Sequence, residues 1–189
     1  MIKLSFSTLT RIAALMVACV LVGCGGASST VNPLTPTRII AFGDAFSTVD
    51  SSGYATYSVN TSETNATVAS RIASIYGFTL KAVASSSAVI ASGTAYSYAA
   101  GTATSSATAT HISNYLANNT PGSKDLFIIT AGTQDIVSAA PTNNTTAIAT
   151  AATALTSAVQ SLTNAGAQYV VVMQPINVAK TPPFLALNG

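Results

Sequence analysis

The chain has 189 residues, room for one domain of ordinary size, and 49% of them are hydrophobic against 6% charged. Seven Lys and Arg face five Asp and Glu, but Lys3 and Arg11 lie at the extreme N-terminus, so the body beyond residue 23 is neutral. Such a body can bury a core, lacks the basic footprint that nucleic acid requires, and offers no polybasic patch to a membrane surface.

In chain order, the first feature is an address. Lys3 and Arg11 flank a polar start, and Ile12 to Gly23 is an apolar run too short to span a bilayer, which needs ~20 residues. It ends in Leu21-Val22-Gly23-Cys24, which resembles a bacterial lipobox. The resemblance implies a signal peptide over residues 1–23, cleavage before Cys24, lipidation of that cysteine and, with Gly25 next, an outer-membrane address. An ordinary secretory signal cut near Ala27 is the alternative. Residues 24–37 read as the lipidated Cys and a flexible Gly/Ser/Thr/Pro tether. Cys19 and Cys24 are the only cysteines, so no disulfide framework or zinc cluster is expected.

The body, 38–189, alternates strands and helices. Arg38 to Phe42 predicts a buried strand closed by Gly43-Asp44. Val68, Ile72, Ile75 and Tyr76 recur at helical spacing before Gly77. Phe78 to Ala84 is a second candidate strand, and Ser85 to Ala109 reads as a long Ser/Ala/Thr/Gly loop. His111, Ile112, Tyr115 and Leu116 predict a helix ending near Asn118-Asn119. Asp125 to Ala131 is the clearest strand. Ile148, Leu155, Val159 and Leu162 mark one helix face that ends at Gly166, and Gln168 to Met173 is a further β-branched run. Strands apolar on both faces, separated by helices, predict a doubly wound parallel α/β sheet.

In such sheets chemistry gathers at the carboxyl ends of the strands. Three segments can reach that edge. Phe42-Gly43-Asp44-Ala45-Phe46-Ser47 resembles the first block, FGDSLS, of the SGNH/GDSL ester hydrolases and lipases. Ser97-Tyr98-Ala99-Ala100-Gly101-Thr102-Ala103 is similar to their second block, and Ala131-Gly132-Thr133-Gln134-Asp135-Ile136 to their third, AGxNDI. Val170 to Pro175 with Thr181-Pro182-Pro183-Phe184 resembles the strand and Pro-rich turn that follow. The resemblance spans about residues 37–187. It implies a flavodoxin-like, three-layer α/β/α fold and hydrolysis of acyl esters without a cofactor or metal. It also implies that the last strand and helix of the family pattern are missing, the domain being C-terminally incomplete.

The same comparison implies an impaired catalyst. The nucleophile position is Ala45, whose methyl group cannot attack a carbonyl; loss of such a nucleophile costs on the order of 10⁶ in rate. The oxyanion positions are Gly101 and Gln134. The family has Asn at the second, and Gln reaches about 1.5 Å further, a misplacement where donors must sit roughly 2.7–3.1 Å from the oxyanion. No DxxH, the family's orienting acid and base, occurs. Ser47 reads as a turn residue, with rescue of the nucleophile as the sharper alternative. His111, the single histidine, reads as an exposed helix residue, with a base or metal ligand as the alternative. Asp44 reads as a brace of the first turn and Asp135 as a brace of the third block; Gly43 and Gly132 support those turns. Two functions stand: an ester-hydrolase lineage, or a non-catalytic envelope lipoprotein that binds an acyl or carbohydrate ligand or a structural partner. The expected partners are the bilayer, through Cys24, and that ligand. A product with no stable fold is a third possibility, since Ser/Thr-rich helices form weakly.

Overall fold

A computed structural model describes residues 33–57, 63 and 66–185. The chain divides into two units, Met1–Pro33 and Leu34–Gly189, and every element below belongs to the second. The signal peptide, Cys24 and most of the tether lie outside the described residues.

Five strands form one all-parallel sheet: β1 (Arg38–Gly43), β2 (Leu80–Ala82), β3 (Thr94–Ser97), β4 (Asp125–Thr130) and β5 (Tyr169–Met173), in the order β2-β3-β1-β4-β5. The helices are α1 (Val68–Ile75), α2 (Ser105–Asn118), α3 (Thr133–Ala139), α4 (Thr145–Asn164) and the short α5 (Pro182–Leu185). Alternate residues of β1 and β4 feed two cores. Ile40, Phe42, Phe127 and Ile129 pack with Ile112 and Tyr115 of α2 and Ala158 and Leu162 of α4. Ile39, Ala41, Leu126 and Ile128 pack with Ala69 and Ala73 of α1 on the opposite face. The result is a doubly wound α/β fold of three layers, as the alternating runs predict.

At the heart of the first core Tyr115 meets Phe42, Tyr98 and Phe127 edge to face, with centroids 5.7, 5.8 and 5.7 Å apart. These are favourable aromatic geometries. At the amino end of the sheet Arg38 pairs with Asp125, and Asp125 also accepts from the Thr37 hydroxyl and the Gly122 N–H. The Asp125 hydrogen bond holds the Arg38 guanidinium above its ordinary pKa. That network ties β1 to β4 at the end remote from the loops.

The loop expected over Ser85–Ala109 is corrected in two places. Thr94–Ser97 is a strand, and α2 begins at Ser105. Four residues, three of them small, carry no periodic signal; β3 exists because β1 and β2 flank it and bury Ala95 and Ser97. Caps start the Ser/Thr helices, and hydroxyls along them bond back to the helix's own carbonyls. Thr104 accepts from the Ala107 N–H, Thr67 and Ser70 make a capping box on α1, and Thr150, Thr153, Thr156 and Ser161 donate to carbonyls four residues back on α4.

Candidate functional site

Two glycines shape the carboxyl edge. Gly43 has φ +122°, and a Cβ there would lie 1.8 Å from the Thr130 carbonyl oxygen, so β1 ends against the β4 backbone as only glycine permits. The next residue turns away: the Asp44 N–H donates to that same carbonyl at 2.7 Å. Gly132, at φ +103°, opens α3, and a Cβ there would meet Pro175 Cγ at 2.8 Å.

These constraints bring the three motif segments together. The Ala100 N–H donates to the Gly43 carbonyl at 2.9 Å, so the second segment lies against the first. Asp135 Oδ2 accepts from both the N–H and the hydroxyl of Ser105, at 2.7 and 2.9 Å, which fixes the third segment to the first turn of α2. Asp44 Oδ1 accepts from the Phe46 N–H at 3.1 Å and braces its own turn. The motif segments thus share one edge, at the carboxyl ends of β1, β3 and β4.

Their chemistry differs residue by residue. Ala45 is half-buried on the turn and presents a methyl group. Ser47 is fully buried; its Oγ accepts from the Thr130 hydroxyl at 2.8 Å, and its carbonyl accepts from the Ser97 hydroxyl at 2.6 Å. A serine so enclosed is a structural link between β1, β3 and β4, a broader role than that of a turn residue, and its enclosure disfavours the nucleophile alternative. The Gln134 amide donates along its own helix to the Ser138 hydroxyl at 3.3 Å. Gly101 lies under the ring of Tyr57, whose nearest atoms a Cβ would meet at 2.0 Å. Tyr57 carries no motif, so sequence reasoning had no signal for it.

His111 is on α2 and half-buried, not an exposed helix residue. Its Nδ1 is buried without a hydrogen-bond partner, and burial holds the imidazole below its ordinary pKa. A catalytic base needs an orienting partner on that nitrogen. No group of three or more His, Cys, Asp or Glu that could hold a metal occurs among the described residues, and no described helix is long and apolar enough to cross a membrane.

Beside the third segment lies a cavity of about 380 Å³ between α4 and the end of β5. Ile136, Ile148, Ala151, Leu155, Val172 and Pro175 give it apolar walls, while Ser105, Asp135 and Gln174 supply its polar groups. Its size and its few polar groups are those of small-ligand sites, which commonly span ~300–1,000 Å³. The parallel sheet and this edge define the class of the molecule: a doubly wound α/β domain with a ligand-sized cavity where such folds place their sites. No protein-family model matches the chain, and no curated protein matches it.

Proposed function

We propose that the domain is a non-catalytic relative of the SGNH/GDSL ester hydrolases that binds an acyl-bearing ligand at its carboxyl edge. The observation that carries the reading is the 380 Å³ apolar cavity beside Gly132 and Asp135. An acyl chain suits walls of Ile, Leu, Val and Ala, and the Gln174 amide can donate to an ester or carboxyl oxygen. Four features support the absence of turnover: the Ala45 methyl, the enclosed Ser47, the outward engagement of Gln134 and the unpartnered His111. The lipobox-like Leu21 to Cys24 supports an envelope address on a lipid anchor. Loss of palmitate labelling in Cys24→Ala, with labelling of the parent chain, checks that part.

The ligand reading is tested by titrating the purified chain with a fluorescent fatty acid, and turnover by p-nitrophenyl butyrate. We expect saturable binding and no hydrolysis above buffer. Ala152 lines the cavity from an exposed position, so Ala152→Trp should fill the space and weaken binding at least tenfold while the protein stays folded. Binding unchanged in that variant would remove the cavity from the account. Hydrolysis that disappears in Ser47→Ala would overturn the non-catalytic reading.

A further inference from the structure

A second cavity, of about 140 Å³, adjoins the first at the end of β5 and lies between the turn after β1 and the start of α1. Phe46, Met173 and Ile176 contribute carbon to its walls, and Asp44, Thr130, Thr133 and Gln174 contribute polar groups. Asp44 is the only charged residue that lines it. That carboxyl is 3% exposed, and only half of it is satisfied. Oδ1 takes the Phe46 N–H, whereas Oδ2 is buried with no hydrogen-bond partner.

A buried carboxylate without a counter-charge is costly, and buried charges are ordinarily paired. The ion pair seen among the described residues, Arg38 with Asp125, is at the far end of the strands. Burial accordingly pushes the Asp44 carboxyl above its ordinary range, with the Phe46 N–H pulling the other way. The Thr130 hydroxyl hydrogen points to Ser47, which leaves its lone pairs for another donor. The cavity therefore combines one unpaired acid, spare acceptors and apolar walls, and no base.

We infer that this cavity is a binding site for a small organic ammonium ion, with Asp44 as its counter-ion. The ammonium group would donate to Asp44 Oδ2 and the Thr130 oxygen, and a short alkyl stem would lie against Phe46 and Met173. An anion would face the Asp44 carboxylate, the one charged group among the described residues that line the cavity. A neutral alcohol brings one donor and no charge, and a charge-assisted bond is roughly twice as strong as a neutral one. The volume accommodates roughly five water-sized groups, since each takes about 30 Å³ of liquid, which sets the scale at an ethylammonium-sized ligand. The site shares Ala131, Met173, Gln174 and Pro175 with the acyl cavity, but its counter-ion Asp44 does not line that cavity, so Asp44→Asn tests it separately.

The test is a titration of the ¹⁵N-labelled purified chain with ethylammonium chloride, following the amide signals of Phe46 and Thr133, with ethanol and sodium chloride as matched controls. Saturable shifts that neither control reproduces are expected, weakened at least tenfold in Asp44→Asn. Ile176 is 45% exposed at the rim, so Ile176→Trp should obstruct the cavity without disturbing the core and weaken binding similarly. It serves as the deciding variant should Asp44→Asn not fold. Shifts that never saturate, that persist in either variant, or that ethanol or sodium reproduces at equal concentration would overturn the proposal.

Discussion

β4 and β5 are adjacent, apolar and similar in sequence, Leu126-Phe127-Ile128-Ile129 beside Val170-Val171-Val172, yet they sit in opposite surroundings. All six residues of β4 are buried, whereas Tyr169, Val171 and Val172 are 41%, 43% and 45% exposed. Their register is continuous from Leu126 with Tyr169 to Thr130 with Met173, so the difference is not one of pairing quality. β4 has a strand on each side and residues in both cores. Among the described residues β5 is an edge strand of the sheet, with β4 as its neighbour. Hydrophobicity states what a strand can bury; neighbours decide what it does bury. A bare edge also presents unpaired N–H and C=O groups to other chains.

The sharpest way to break the comparison is at the β1–β4 join. Gly43→Ala forces a Cβ into the Thr130 carbonyl at a positive φ, combining overpacking with backbone strain, and should cost on the order of 4 kcal/mol. A urea midpoint like that of the parent would show that the strands can part there at no cost. Next comes the direct contrast. Phe127→Ala should lose about 3–5 kcal/mol, whereas Val171→Ala, half in water, should lose less than ~1 kcal/mol. Equal losses in urea denaturation would mean that β5 is covered in solution.

Tyr115→Phe should have a smaller effect. The Tyr115 hydroxyl is buried without a partner, and burial pushes its pKa up to about 12, so removing the oxygen should leave stability unchanged or raise it by up to ~1 kcal/mol. A clear loss in the same assay would show that the oxygen has found a partner. The smallest expected effect is at His111. Burial lowers its folded pKa below the unfolded 6.5. The group therefore contributes stability that is present above about pH 6.5 and is lost as pH falls through the folded value. His111→Gln should flatten the fall of Tm on the acid side, and an unaltered Tm–pH profile would contradict the burial of that imidazole.

Much of this organisation is legible in the residues. β1, β4 and β5 are continuous apolar runs ended by Gly43, by Gly132 and by Pro175, and α1 and α4 show their faces at helical spacing. β3 is not legible, because Thr-Ala-Tyr-Ser is only four residues long with Tyr96 as its one large apolar side chain, inside a Ser/Ala/Thr/Gly-rich stretch. α3 is hidden as well, since Thr133 to Ala139 follows a motif whose glycine reads as a loop. At the candidate site the three segments could be recognised as blocks, but not the hydrogen bonds from Ala100 to Gly43 and from Ser105 to Asp135 that join them. The enclosure of Ser47 was equally invisible, because its partners Thr130 and Ser97 lie 83 and 50 residues away.

By itself the sequence determined the α/β class, the methyl group at Ala45 and the low charge of the body, because these follow from residue type and local periodicity. The tertiary structure alone decided that Ser47 is a buried link, that Asp44 faces a cavity with an unpartnered oxygen, and that β5 rather than β4 is exposed. Those properties belong to pairs of segments distant in the chain, and burial and hydrogen-bond satisfaction exist only once the sheet has brought the segments together.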